Sequence, residues 1–182
     1  MNLTNQRSSK KEYYKRMAFF AFLVLTLVWA WVIFGFSANN AEESTIQSNA
    51  VTEMVLRIFY DDFDELSPVE QQNLIDSCDR VTRKLAHFTA YAILGFLVYG
   101  TVNFAPGKIF DKKHKKSLFS FVPCVVFAAT DEYHQTLVEG RAGRFTDVLI
   151  DGSGVVFGII IAIIVFVIID VVFKKKEESG GV

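Results

Sequence analysis

The sequence predicts an all-α integral membrane protein, a four-helix bundle with an extracytoplasmic amphipathic helical segment between its first and second spans. Three observations predict it. Of the 182 residues, 51% are hydrophobic and 18 are Phe, more apolar surface than a soluble core of this length requires. Apolar stretches stand at 17–36, 86–105, 118–130 and 148–173. Net charge is only -1, yet its sign is segregated: basic residues flank the stretches on one side and an acidic segment lies on the other.

The N-terminus, 1–16, carries Arg7, Lys10, Lys11, Lys15 and Arg16. The first span, 17–36, reaches about 30 Å as a helix, enough to cross the hydrocarbon core. It contains Trp29 and Trp31 and is followed by no clear small-x-small cleavage site, so it reads as a retained helix rather than a signal peptide. The segment that follows is too long to be an unstructured connection, and a helical region is expected over about 45–85. Val51, Met54, Val55, Ile58 and Phe59 recur at helical spacing, which suggests an amphipathic helix on the outer membrane surface or over the bundle. Asp61, Asp62, Asp64 and Glu65 end it. They lack the glycine and distal Glu of a calcium loop and read as a solvated acidic turn. Ser67-Pro68-Val69-Glu70 has the form of a helix start, with Ser as cap, Pro at the first helical position and Glu closing a capping box. From there one helix is expected to run unbroken into the second span, 86–105.

Lys108, Lys112, Lys113, Lys115 and Lys116 separate the second span from the third. The third has an apolar run, 118–130, of only about 20 Å, so it reaches full length (118–135) only by including Asp131, Glu132, His134 and Gln135. The fourth span is 148–173, completing a membrane domain of 17–173, and 174–182 reads as a disordered cytoplasmic tail. With four spans, the positive-inside rule puts both termini and the lysine loop in the cytoplasm. The basic runs are thereby explained as topology signals, and no nucleic-acid partner is expected. Cys78 and Cys124 fall at different depths, so no disulfide is expected, and no metal-type Cys spacing exists.

The chemistry-bearing side chains collect at the outer end. Arg80, Lys84, His87, Tyr91 and Gly95 share one stripe of the second span, with Arg83 beside it. Asp147, Asp151, Gly154 and Gly158 form a stripe on the fourth, whose glycines make a small-residue surface for a neighbouring helix. Arg141 and Arg144 lie in a glycine-bearing turn between the third and fourth spans that lacks the Lys-Ser/Thr of a phosphate loop. Charges near hydrocarbon depth are costly unless paired or wetted, which makes them a candidate functional site. The expected catalytic candidates are Glu132, His134, Asp131 and His87, able to orient or move a proton. The expected binding residues are Arg83, Lys84, Tyr91, Gln135, Arg141, Arg144, Asp147 and Asp151, where the Arg forks match phosphate or carboxylate groups. The same charges also serve if Arg83, Lys84, Arg141 and Arg144 only neutralise the four carboxylates and brace the helices. A metal held by His87, His134 and Glu132 or Asp131 is the further alternative, but one His per helix gives no ligand spacing. No metal or cofactor is assigned.

Arg83-Lys84-Leu85-Ala86-His87-Phe88-x-x-Tyr91-x-x-Leu94-Gly95, then Asp131-Glu132-x-His134-Gln135, then Gly140-Arg141-Ala142-Gly143-x-x-x-Asp147-Val148 and Gly154, closely resembles the VanZ-like family of small bacterial membrane proteins. The resemblance covers roughly 80–158, in three blocks in the right order, and Phe36-Ser37 is similar as well. Asp151 stands where many relatives carry Asn, and Glu139 replaces a frequent Pro. The family is named after an accessory protein that lowers susceptibility to the glycopeptide teicoplanin. The resemblance implies an outward-facing polar cluster and an envelope or antibiotic-tolerance role, and it supplies no catalytic mechanism; the expected location is the bacterial plasma membrane.

Three functions compete on this reading. One is an envelope protein that acts on or shields a lipid-linked cell-wall precursor or other membrane lipid, reducing capture by lipoglycopeptides. A second is an intramembrane hydrolase or transferase on an anionic outer-leaflet lipid. Ion transport needs polar groups through the whole bilayer, and below Tyr91 and Asp131 the spans offer little besides Thr101, Asn103 and Asp170.

Overall fold

The computed structural model describes residues 3–106 and 112–179. Regular structure among them is entirely helical: α1 (Leu3–Ser37), α2 (Ala41–Phe59), α3 (Pro68–Phe104), α4 (Lys113–Gln135) and α5 (Phe145–Ser179), with a 3-10 turn at Phe63–Glu65. Lys108 of the lysine loop and the last residues, 180–182, lie outside the described residues. Three helices, α1, α3 and α5, contain segments long and apolar enough to cross a membrane. The tail differs from expectation, because α5 continues to Ser179. Its Lys and Glu are good helix formers, and adding turns to an existing helix avoids the cost of nucleation.

The start of α3 is the expected capping box. Ser67 Oγ accepts from the Glu70 N–H at 3.4 Å and Glu70 Oε2 accepts from the Ser67 N–H at 2.9 Å, with Pro68 in the first turn. The helix then runs 37 residues without interruption. At about 1.5 Å per residue this far exceeds the hydrocarbon thickness, and its apolar part alone is long enough to cross. A second capping box starts α2, where Asn40 Oδ1 accepts from the Glu43 N–H at 2.9 Å and Glu43 Oε2 from the Asn40 N–H at 3.3 Å. Consequently α2 begins at Ala41, about a turn before the expected start near 45. Most of its apolar stripe does not face the other helices: Met54, Val55 and Ile58 are exposed, Val51 is half-exposed at the edge toward α1, and the buried Thr52 and Ser48, which donates to Asp79 of α3, lie on the packed side.

All four other helices pack on α3. Glycines make the α3–α5 contact possible. A Cβ at Gly154 would meet the Phe88 carbonyl, one at Gly158 the Ala92 carbonyl, and one at Gly95 the Val155 backbone. Contact at this range aligns backbone with backbone, the use expected for a small-residue surface. On α1, Thr26, Trp29 and Ile33 form an inward stripe: Thr26 pairs with Thr101 at 3.2 Å, and Trp29 Nε1 donates to the Ala90 carbonyl at 2.8 Å. Farther from the polar end, Phe166 is enclosed by Phe22, Phe96, Tyr99 and Phe104, with ring centroids 5.4 to 6.2 Å away, which ties α1, α3 and α5 together.

Candidate functional site

One end of the molecule gathers the C-terminus of α1, the start of α2, the middle of α3, the end of α4 and the α4–α5 loop. Their polar side chains surround an open vestibule of about 360 Å³ lined by Arg80, Arg83, Lys84, Arg141 and Arg144 against the carboxylates Asp79 and Asp147, with His87 and Gln135 at its base. Five cations against two carboxylates give it a positive balance, even though the chain as a whole is near neutral.

Three carboxylates lie buried beneath it: Asp131 at 2%, Glu132 at 5% and Asp151 at 0% exposure. Each is anchored differently. Asp131 Oδ2 accepts from the Tyr91 hydroxyl at 3.2 Å and from Gln135 Nε2 at 3.4 Å, joining α3 to α4. Glu132 Oε1 accepts from the backbone N–H of Arg144 at 2.6 Å and so fixes the end of the α4–α5 loop. Asp151 faces His87, with Oδ1 3.3 Å from Nδ1. That distance is within ion-pair range, but the ring is not aligned for a hydrogen bond, and both Asp151 oxygens lack a hydrogen-bond partner, as do Asp131 Oδ1 and Glu132 Oε2. Buried acceptors are normally satisfied, so four unsatisfied oxygens at one end of the molecule are acceptor capacity that the helices leave unused.

The cations divide into bracing and available groups. Arg141 Nη1 donates to the Ser37 carbonyl at 3.0 Å and the Asn39 carbonyl at 3.4 Å, and Nη2 to Ser44 Oγ at 3.3 Å. It therefore caps the C-terminus of α1, satisfying carbonyls that a helix end leaves open, while its head still borders the vestibule. Burial first, and then the neighbouring Arg83, push its guanidinium below the ordinary value. Arg83 pairs with Asp79 at 2.9 Å, one turn away. Lys84 and Arg144 line the vestibule and are exposed.

Of the residues expected at the site, His87, Tyr91, Asp131, Glu132, Gln135, Arg83, Lys84, Arg141, Arg144, Asp147 and Asp151 come together. His134 does not join them. Its ring packs on Phe34 of α1, with centroids 4.6 Å apart, on the side of α4 away from the α4–α5 loop that Glu132 anchors. Helical phase sets the two flanks: Asp131 and Gln135 share the inner face, with His134 on one side of it, beside Phe34, and Glu132 on the other, beside the Arg144 N–H. Among the described residues no three His, Cys, Asp or Glu side chains are arranged to hold a metal ion. Cys78 and Cys124 are both free thiols.

Asp79 is a site residue that motif reasoning misses; it accepts from both Ser48 and Arg83. Its position one turn before Arg83 was the available signal. Ser37, Asn39 and Ser44 were not legible as Arg141 partners, because they are about a hundred residues away in sequence.

No curated protein and no solved structure matches the chain. A family model described as VanZ/LLP1 matches residues 22–167, a stretch that takes in four of the five helices in full or in large part, together with the α4–α5 loop and every residue of the vestibule. With most of its length and its whole polar end inside that match, the chain belongs to the VanZ/LLP1 family.

Proposed function

We propose that this protein resides in the bacterial plasma membrane with its vestibule facing outside, and that it lowers susceptibility to lipoglycopeptides such as teicoplanin by acting on or shielding a lipid-linked envelope component. In this reading all four of α1, α3, α4 and α5 cross the bilayer in a bundle, both termini are cytoplasmic, and α2 with the first turns of α3 is extracytoplasmic. The distribution of Lys and Arg supports that orientation: Lys15 and Arg16 precede the apolar part of α1, and Lys113, Lys115 and Lys116 begin α4. α4 then crosses by sinking Asp131 and Glu132 into the bundle rather than into lipid, consistent with their burial.

The observation that carries the reading is the cationic vestibule above unsatisfied buried carboxylates. Arg83, Lys84 and Arg144 suit a phosphate or carboxylate group, and the acceptors beneath suit its hydroxyl or amide donors. The test is teicoplanin and vancomycin susceptibility of a sensitive host expressing the protein, beside an Asp131→Asn, Glu132→Gln double variant at matched membrane abundance. Protection against teicoplanin that disappears in the variant supports the reading. Full retention reduces the cluster to a brace, and absence of protection from both removes the resistance role in that host.

A second reading, a hydrolase or transferase on an anionic outer-leaflet lipid, is favoured by the approach of His87 to Asp151. A carboxylate 3.3 Å from an imidazole stabilises its protonated form, as acid–base chemistry requires. Chemical conversion of lipid headgroups by the purified protein, abolished by His87→Ala, separates this reading from binding alone.

A further inference from the structure

The vestibule does not end at its floor. Arg83, His87 and Arg141 also border a second cavity, about 300 Å³, that runs between α1 and α3 under α2. The character changes across this neck: beyond it the exposed surface is mostly apolar, from Trp29, Val32, Ile33, Phe36 and Val51, with Ser37, Ser44, Gln47 and Ser48 also bordering it. Ile33 and Tyr91 are buried at the bottom of the cleft, whereas Phe36 and Val51 at its rim are well exposed, so it opens sideways between the helices. At its rim Phe36 and Val51 are both exposed and apolar, a surround suited to lipid rather than water.

Resting on the outward-facing lipid reading above, we propose that vestibule and cleft form one bipartite site for a phosphate-headed amphiphile that enters from the leaflet. The phosphate sits at the neck by Arg83 and Arg141, and one hydrocarbon chain lies in the cleft along Trp29, Val32 and Ile33. A cleft at the small end of ligand pockets takes a single chain and not a pair. The stretch of α1 from Trp29 to Phe36 spans roughly 10 Å, so it accommodates only the chain segment nearest the head. Trp29 is held for this contact by its hydrogen bond to Ala90. The unsatisfied Asp131 Oδ1, on the cleft wall, accepts a hydroxyl of the head.

The test uses the full chain in neutral detergent with Trp31→Phe, which leaves Trp29 as the single Trp of the two present. Quenching of Trp29 is titrated with a bromine-labelled single-chain alkyl phosphate, with the alcohol of the same chain, and with inorganic phosphate as competitor. The expected result is saturable quenching by the alkyl phosphate at a concentration about tenfold or more below that of the alcohol, with the gap narrowed by Arg83→Gln. Ala86→Phe, which adds bulk at an exposed position on the cleft wall, weakens quenching by the chain. Equal quenching by phosphate and alcohol, or no effect of Ala86→Phe, overturns the proposal. If inorganic phosphate binds and shifts Trp29 emission but the bromoalkyl chain does not quench it, the bipartite site falls while the vestibule reading stands. If neither phosphate binds, both fall.

Discussion

At the scale of single residues, the site separates side chains that hold the structure from those free to act. Glu132 does both, since one oxygen anchors the loop through the Arg144 N–H and the other has no partner. Glu132→Gln keeps an acceptor for the loop and removes the charge, so thermal stability in detergent is expected to change little while protection is lost. Glu132→Ala removes the anchor as well and is expected to cost about 2 kcal/mol, a hydrogen bond to a charged group. If Glu132→Gln is as destabilised as Glu132→Ala, the carboxylate is structural. Arg141 shows what a motif conceals. Its guanidinium fork suggested a ligand contact, yet it also braces Ser37, Asn39 and Ser44, so only its remaining N–H groups are open to a ligand. Motif spacing reveals which residue types meet, whereas their division into braces and ligand contacts depends on partners remote in sequence. His134 illustrates the same limit, because adjacency to Asp131 in sequence says nothing of the face on which a helix presents it.

At the scale of elements, the caps and glycines carry the sharpest predictions. Gly158 lies against the Ala92 carbonyl, so Gly158→Leu must force α5 from α3, with an expected loss of about 3 kcal/mol or failure to accumulate in the membrane. Gly35, with nothing near its Cβ direction, is the control and should tolerate Ala. The capping box at Ser67 makes a pH prediction. Its hydrogen bonds, first from the Ser67 side chain and then from its backbone, hold the Glu70 carboxyl below its ordinary value. A depressed carboxyl contributes stability that is complete above its unfolded value and is lost as pH falls through the folded one. Amide exchange in the first turn of α3 should therefore quicken with acid, relative to the intrinsic rate, in the native protein and not in Glu70→Gln. This box was legible because Ser-Pro-x-Glu is a local signal, as was the unbroken helix that follows. The start of α2 was less so, since Asn40 and Glu43 precede the apolar spacing that marks the helix. Which side of α2 packs was not legible, because most of its apolar stripe turns outward and Ser48 and Thr52 turn in.

At the scale of the whole molecule, an all-helical chain with three strongly apolar helices follows from hydropathy alone, and the meeting of the polar blocks follows from their common position at one end of the apolar stretches. The cleft between α1 and α3 was hidden, because its lining residues look in sequence like any lipid-facing stretch; only the packing of Trp29 on Ala90 under α2 makes it a cavity. Everything proposed for function requires the vestibule to face outside. The measurement that tests this most directly labels single cysteines in intact cells with a membrane-impermeant maleimide, in a Cys78→Ser, Cys124→Ala background. Ala142→Cys, exposed on the vestibule wall, is expected to label without permeabilisation, and Lys115→Cys, exposed at the start of α4, only after it. Labelling of Lys115→Cys in intact cells with Ala142→Cys protected would place the polar end in the cytoplasm and contradict the account.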